Sequence, residues 1–443
     1  ANNKVMTIHG DFGIDGTFQG GSKILEMDGF GKFIDGIGSI TEGIVLSSNV
    51  YFTTTAVVNV TGGQIFIGDG VEISNYGTVT VANDISGSNV LSQWTNQANS
   101  TLRIGGTLLS TGVLETSSTG NTVIYNGAGD QLVKAPLSSY ANLVAGGSGM
   151  KSLTGDLDVE ERIVIIGAST LDVTGSSYTI NLAGNWHNLG GTFNAESGMV
   201  IMDGSGDQYI YGPESFFNLL VNSGGNLILD SDLTVSNNLS MSGGNIDPQL
   251  NTLILGTGIG TPGSLTYTSG TILGRMTRWI TSTGIPYLYP VGSMGNHRPT
   301  NLTFTDLTAG SLTIEFIDGD PGPTGLPLSE GTVSITNQFT EGYWDLTAQN
   351  GLITNDYDLQ LTASNFMSYS IIPGTRVIKR TNGGSWFLDG SHSSAISPDL
   401  FRDNLTGGIS VLGTRFGIGH IVCIGLSVDR VITDVSCFGG DDG

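Results

Sequence analysis

The 443-residue sequence has little positive charge, few charged residues of either sign and almost no cysteine. Its 16 Lys and Arg face 39 Asp and Glu, so the net charge is −23, and charged residues make up 12% of the chain, about half the usual share. Nucleic acids and anionic membrane surfaces are bound through Lys and Arg, so the charge argues against both partners. Two cysteines cannot build a disulfide framework.

Long apolar runs and a targeting segment are lacking as well. No stretch approaches the 18 or so apolar residues that predict a membrane-spanning helix. The first four residues lead directly into Val5 without a signal peptide. We therefore expect no membrane insertion, and a chain that is either cytosolic or the mature part of a secreted protein.

Motifs that carry chemistry are also missing. The five histidines are scattered, and no His-x-Glu or Cys-x-x-Cys frame offers a zinc site. Gly-x-Gly pairs at 29/31, 127/129 and 204/206 open no helix that could hold phosphate, so we interpret them as strand turns. The acidic runs Asp318-Gly319-Asp320 and Asp441-Asp442 fall short of the six oxygens that calcium needs. We predict no catalytic residue, metal centre or cofactor beyond loosely held Ca²⁺.

Apolar residues two positions apart predict short strands over residues 1–265. Leu219/Val221 and Leu227/Leu229 are two such pairs, and this spacing places both side chains of a pair on one face of a strand. Turns rich in Gly, Asn and Ser separate the pairs, and no comparable segment has the spacing of an amphipathic helix. The sequence therefore predicts an all-β protein.

The same region repeats itself at an offset of about 77 residues. Two clear copies of the repeat begin at residues 123 and 200, and a weaker third copy begins at Met27. Gly-punctuated strands at a fixed period indicate a solenoid or an array of propeller blades. Three blocks recur in the same order, those at 123–131, 140–144 and 155–159 returning at 200–208, 216–220 and 231–235.

We prefer a β-solenoid, or β-helix, over a β-propeller for residues 1–265. About 77 residues fit roughly three coils of about 20–30 residues each, whereas propeller blades of about 40–50 residues are the alternative. The closely spaced turns and very short strands favour the coils. No Lys or Arg occurs from Ile163 to Gly274, which suits coils whose like side chains stack on one another.

The composition changes near residue 266. Arg275, Arg278 and Trp279 appear, and the following strands are longer and alternate clearly, as in the segment 312–316. Turns about every 8–12 residues are typical of a sandwich. We predict a β-sandwich module at 266–421, with a candidate division near 330, and the opening of a truncated third module at 422–443.

A carbohydrate-active enzyme, either a lyase or a hydrolase, is the alternative on the same scaffold. A lyase needs clustered cations, but the basic residues of the solenoid are dispersed. A glycosidase needs two facing acids; Asp203 and Asp207 are candidates, yet they follow the repeat and so serve the scaffold. We therefore predict that the protein is not an enzyme. The dispersed basic residues are Lys4, Lys23, Lys32, Arg103, Lys134, Lys151 and Arg162.

The segment 433–443, Thr-Asp-Val-Ser-Cys-Phe-Gly-Gly-Asp-Asp-Gly, resembles the opening of an SprB-type repeat of large Bacteroidetes cell-surface adhesins, including gliding-motility adhesins. Two further parts of the chain are similar to regions of surface proteins in that phylum. One comprises the segments 287–292 and 296–299, and the other is the Gly-x-Gly-Asp-Gln block followed by Phe217-Asn218-Leu219. The resemblance implies export by the type IX system, an extracellular location and a longer polypeptide. It carries over no catalytic residue.

These observations predict a surface adhesin, fibre or stalk with a structural and binding role. Surface glycans or polysaccharides, further copies of the chain, or secretion and motility machinery are the expected partners. Trp94, Trp186 and Trp344 could stack on sugars, although packing in the core is the preferred interpretation. Whether Cys423 and Cys437 pair with each other is left open.

Overall fold

The computed structural model describes residues 4–21, 23–173, 175 and 177–423. This part of the chain is entirely β-structure and contains no helix, so it offers no helix that could span a membrane. The chain divides into two compact units, at residues 1–231 and 232–443. The all-β prediction and the β-solenoid prediction are both confirmed, because stacked parallel strands make about 14 turns.

The first unit consists of short strands that pair in parallel. Its strands are β1 Val5–Ile8, β2 Phe12–Gly13, β3 Gly16–Phe18, β4 Ile24–Met27, β5 Lys32–Asp35, β6 Ile37–Ile40, β7 Ile44–Leu46, β8 Val50–Phe52, β9 Val57–Val60, β10 Ile65–Ile67, β11 Glu72–Asn75, β12 Thr78–Val81, β13 Ile85–Gly87, β14 Gln93–Asn96, β15 Thr101–Ile104, β16 Val113–Glu115, β17 Thr122–Tyr125, β18 Gln131–Val133, β19 Tyr140–Ala145, β20 Ser148–Leu153, β21 Leu157–Ile166, β22 Ala168–Asp172, β23 Thr179–Leu182, β24 Asn185–Leu189, β25 Thr192–Asn194, β26 Met199–Met202, β27 Gln208–Tyr211 and β28 Glu214–Leu229.

Every third strand pairs with its counterpart in the next coil at the start of the chain. β1 pairs with β4, β2 with β5 and β3 with β6, so each coil contributes one strand to each of three ladders. Apolar side chains alternate inward along each strand. Ile65 and Ile67 are buried while Phe66 between them is only partly buried, as expected for strands with a single face on the core.

The 77-residue repeat consists of two strands joined by a tight turn, here called a corner. Its two copies lie at different corners of the coil. Val123, in the first copy, belongs to the ladder that continues from Leu102 through Val123, Leu143, Ile163 and Trp186 to Ile210 of the second copy. Val200, the equivalent of Val123, stacks instead on Ile180 and Leu219. The repeat therefore does not span a whole number of turns.

A buried glutamine closes each of these corners. The Gln131 side chain accepts a hydrogen bond from Gly127 N at 2.8 Å and donates to Ile104 O and Gly106 O of the coil before it. In the second copy, Gln208 accepts from Gly204 N at 2.9 Å and donates to Leu182 O and Gly184 O, both at 2.8 Å. A Cβ on Gly204 would lie 2.2 Å from Ala183 O, which explains the glycine at this position.

The second unit begins with parallel coils and continues with antiparallel sheets. Its strands are β29 Leu233–Asp247, β30 Thr252–Leu255, β31 Ser264–Tyr267, β32 Arg275–Ile280, β33 Pro286–Tyr289, β34 Gly292–Ser293, β35 Asn296–His297, β36 Thr300–Thr308, β37 Gly310–Asp318, β38 Leu328–Glu330, β39 Val333–Gln338, β40 Gly342–Gln349, β41 Ile353–Thr362, β42 Arg376–Thr381, β43 Ser391–Ile396, β44 Asp399–Leu405 and β45 Thr414–Cys423.

β32 is the strand at which the pairing changes direction. It lies parallel to β30 and antiparallel to β37, which in turn pairs with β40 and thereby with β45. Parallel pairing thus extends past the predicted boundary at 265. A second antiparallel sheet has the order β33–β36–β41–β44–β43. The sandwich at 266–421 stays a prediction, and residue 330 lies in the β38–β39 hairpin.

The residues beyond 423 carry the resemblance to the adhesin repeat and include Cys437. They lie outside the described residues, as does the side chain of Cys423. The predicted third module at 422–443 and the pairing of the two cysteines therefore stay predictions.

Candidate functional site

A cleft of about 720 Å³ lies in the second unit, within the size range of ligand-binding pockets. Its floor is formed by five neighbouring strands, β29, β30, β32, β37 and β40. The lining residues are Asp232, Thr234, Thr252, Ile254, Gly256, Thr257, Arg275, Thr277, Trp279, Thr313, Glu315, Asp345, Thr347, Gln349 and Asn350.

The strand register arranges these side chains in rows that run across the strands. The central row is Thr234, Ile254, Thr277, Thr313 and Thr347, with one residue from each strand. Outward positions alternate with buried apolar ones because side chains of a strand point to its two faces in turn. Threonine suits these positions, since its branched Cβ favours strand geometry and its hydroxyl can both donate and accept.

Hydrogen bonds fix part of this polar floor. The hydroxyl oxygens of Thr277 and Thr313 lie 2.7 Å apart, and Thr313 also donates to Gln349 Oε1 at 3.2 Å. Asn350 Nδ2 donates to Ser311 Oγ at 2.8 Å. The floor at this end of the cleft is therefore held in place before any ligand arrives, which lowers the entropic cost of binding.

Charged side chains form a second row beside the threonines. Arg275 pairs with Glu315 at 3.2 Å, and Glu315 lies directly opposite Asp345 in the register. Asp345 Oδ2 in turn accepts from Arg415 Nε at 3.1 Å. The other carboxylate oxygen of Asp345 is buried and has no hydrogen-bond donor within the described residues.

Trp279 differs from the other four tryptophans of the chain. It is only partly buried and lines the cleft, and no group in the described part of the chain accepts a hydrogen bond from its indole N–H. The other four are buried, and each donates its indole N–H to a protein acceptor; they are Trp94, Trp186, Trp344 and Trp386. Trp279 thus offers a ring and a free donor to a ligand.

The tryptophans singled out from the sequence belong to the core. Trp94, Trp186 and Trp344 are fully buried, so the preferred interpretation as packing residues is confirmed. In the sequence, Trp279 stands out only through the change in composition near residue 266. The signal that could have distinguished it is the strand alternation, because Met276 and Ile280 on the same strand are buried while Trp279 is not.

The acidic candidates are engaged in contacts within the protein. Asp318 pairs with Arg298 at 2.9 Å, and Asp320 accepts from Gly322 N and from Gln338 Nε2. Among the described residues, no group of three or more His, Cys, Asp and Glu side chains could hold a metal ion. Asp441 and Asp442 lie outside the described residues.

The two carboxylates considered for a glycosidase have separate roles. Burial, with a smaller contribution from Glu160, raises the pKa of Asp203. Asp207 Oδ1 accepts a hydrogen bond from Asn226 N at 2.8 Å and so links two coils. Neither residue lines the cleft. The cleft instead holds Glu315 and Asp345, which the sequence did not single out.

Comparison with protein-family models, with curated proteins and with solved structures finds no match to this chain.

Proposed function

We propose that the chain is a structural and binding protein of the cell surface, an adhesin or stalk, whose cleft binds a glycan without turning it over. The observation that carries the proposal is Trp279, the one partly exposed tryptophan, on a floor of threonine hydroxyls. A sugar ring has an apolar face that packs on an aromatic ring and a rim of hydroxyls that needs hydrogen-bonding partners. The cleft supplies both kinds of group side by side.

The coils suit the mechanical part of this role. Each coil is hydrogen-bonded along its strands to the next, and stacked apolar side chains fill the interior. Repeat structures of this type gain stability from contacts between neighbouring coils. Such a body resists proteolysis and bending, as an extracellular stalk requires. The proposal includes an extracellular location and export by the type IX system. It also includes the expected partners, which are surface glycans or polysaccharides, further copies of the chain, or secretion and motility machinery.

Binding without catalysis is favoured over hydrolysis by the contacts of the two cleft carboxylates. A glycosidase needs one carboxylic acid that holds a proton and one carboxylate. Glu315 pairs with Arg275, and Asp345 pairs with Arg415. Each carboxylate is therefore engaged by a guanidinium group of the protein, an arrangement that fits an ion-pair network better than a pair of catalytic carboxyl groups.

The test is affinity electrophoresis of the full chain in gels that contain polysaccharides, with Trp279→Ala as the variant. We expect native protein to be retarded by at least one polysaccharide and the variant to bind about tenfold more weakly or worse, since the aromatic contact is lost. Phe30→Ala is the matched control, because Phe30 is also an exposed ring (77%) but lies outside the cleft.

Two results would overturn the proposal. One is the absence of retardation by any polysaccharide tested. The other is the release of new reducing ends or unsaturated ends when native protein is incubated with a retarding polysaccharide, since this would identify an enzyme. Equal loss of binding in the Trp279→Ala and Phe30→Ala variants would place the binding surface elsewhere.

A further inference from the structure

The charges of the cleft restrict the kind of glycan that it can take. Asp232, Glu315 and Asp345 line it together with a single cation, Arg275. We infer that the cleft selects an uncharged polysaccharide segment and rejects polymers that carry uronate or sulfate groups. This inference rests on the proposed function and narrows it to a ligand class.

The two arginines that contact the carboxylates of the cleft both form ion pairs with them. Arg275 is bound to Glu315, and Arg415, behind Asp345, is bound to that carboxylate. Arg415 also lies over the ring of Tyr343 at 5.0 Å. A site that recognises carboxylate or sulfate presents free guanidinium or ammonium groups to the ligand. Here an anionic sugar would have to share Arg275, the single cation of the lining, with Glu315, and it would also meet the carboxylates of Asp232 and Asp345.

The long-range field acts in the same direction. The net charge of the chain is −23, so a polyanion is repelled before it reaches the cleft, most strongly at low ionic strength. An uncharged polysaccharide experiences no such repulsion. Its binding should therefore depend little on salt.

The carboxylates suit a ligand rich in hydroxyl groups. A carboxylate is an acceptor only, with room for several donors on its two oxygens, and sugar hydroxyls are such donors. The Glu315 side chain is 28% exposed, and within the described residues only its Oε2 is bound, by Arg275 Nε. Asp232 Oδ1 accepts from Thr252 N at 2.8 Å, and the residue is otherwise exposed. The site is thus rich in acceptors, as an uncharged polyol requires.

The extent of the row favours a segment of a chain over a single sugar. The row from Thr234 to Thr347 crosses five strands, and four intervals of about 4.8 Å give about 19 Å. This length accommodates several linked sugar rings.

The experiment compares neutral and anionic polysaccharides in the affinity gels. Hydroxyethyl cellulose, mannan and galactan are the neutral probes, and polygalacturonate, alginate and chondroitin sulfate the anionic ones. We expect native protein to bind at least one neutral probe and no anionic one. Neutral binding should change less than about twofold when the salt is raised from low to physiological ionic strength, because no charge on the ligand is screened.

Glu315→Gln is the diagnostic variant. It frees the exposed Arg275 and removes one negative charge, so we expect it to gain measurable retention on polygalacturonate while keeping its fold by circular dichroism. Glu72→Gln makes the same change of charge at an exposed position outside the cleft and should gain none.

The outcomes separate this inference from the proposed function. Native binding to the anionic probes in preference to the neutral ones overturns the inference but leaves glycan binding intact. Failure to bind any probe overturns the proposed function. Equal behaviour of the Glu315→Gln and Glu72→Gln variants would overturn the assignment of selectivity to this cleft.

Discussion

Replacing the corner glutamine Gln208 by leucine tests how the coils are joined. The Gln208 side chain is 1% exposed, and its amide bridges two successive coils through Gly204 N, Leu182 O and Gly184 O. Leucine is similar in size but can neither donate nor accept a hydrogen bond. The Gln208→Leu substitution therefore removes three hydrogen bonds with little change in volume.

The expected loss follows from the groups that are left behind. A buried polar group that loses its partner costs about 1–3 kcal/mol. The bonds of Gln208 to Gly204 N and Leu182 O are buried, whereas the bond to Gly184 O is partly accessible, so water can replace it. Two buried groups without a partner predict that the Gln208→Leu substitution lowers the free energy of unfolding by about 2–6 kcal/mol.

Guanidinium-induced unfolding measures this loss, and native-state hydrogen exchange at the Gly204 amide locates it. A solenoid can open locally, so we expect exchange at Gly204 to accelerate even if global unfolding shifts less. Gln131→Leu should behave alike, because Gln131 makes the same set of contacts. Gln64→Leu is the control, since Gln64 is exposed, and should change stability by no more than about 0.5 kcal/mol. A Gln208→Leu protein as stable as the control, with protection at Gly204 intact, would refute the reasoning.

Two further predictions concern buried charges. Burial raises the pKa of Glu214 above its ordinary value of 4.5, so the folded state holds this proton more tightly than the unfolded state. Its contribution to stability is complete below 4.5 and is lost as the pH rises through the folded-state value; pH-dependent thermal unfolding of the Glu214→Gln variant should lack this decline. Lys379 and Asp389 form a buried ion pair at 2.6 Å, so Lys379→Met should cost about 3–5 kcal/mol in chemical denaturation, and an unchanged midpoint would contradict this.

The class of fold could be predicted because it follows from local spacing. Pairs such as Leu227 and Leu229 bury both side chains of one strand, and the glycine-rich segments between strands form the corners. The shift of the repeat by one face could not be predicted. This shift depends on which strand of the neighbouring coil Val200 stacks upon. That choice is a matter of parallel register, which is set by contacts between coils rather than by the local sequence.

Composition and strand pairing change at different places near residue 266. Arg275 and Trp279 change the composition near residue 266, and this change predicts the start of a new module. β32 nevertheless keeps its parallel pairing with β30, while its other edge pairs with β37 in the antiparallel direction. The composition of a strand reflects which side chains it exposes, whereas the direction of pairing is a property of the backbone. The composition changes near residue 266, but parallel pairing continues as far as one edge of β32.

The cleft explains why a search for motifs along the chain missed the candidate site. A surface that runs across strands takes one residue from each, so Thr234, Thr277 and Thr347 are neighbours in a row although they are far apart in sequence. Each looks like an ordinary polar position of an alternating strand. In a solenoid, the residues of a surface site are therefore found by comparing equivalent positions on neighbouring strands. Functional residues are expected where one side chain differs in kind from its neighbours in the row. Trp279 and the opposed carboxylates of Glu315 and Asp345 differ in this way, and they converge on one cleft.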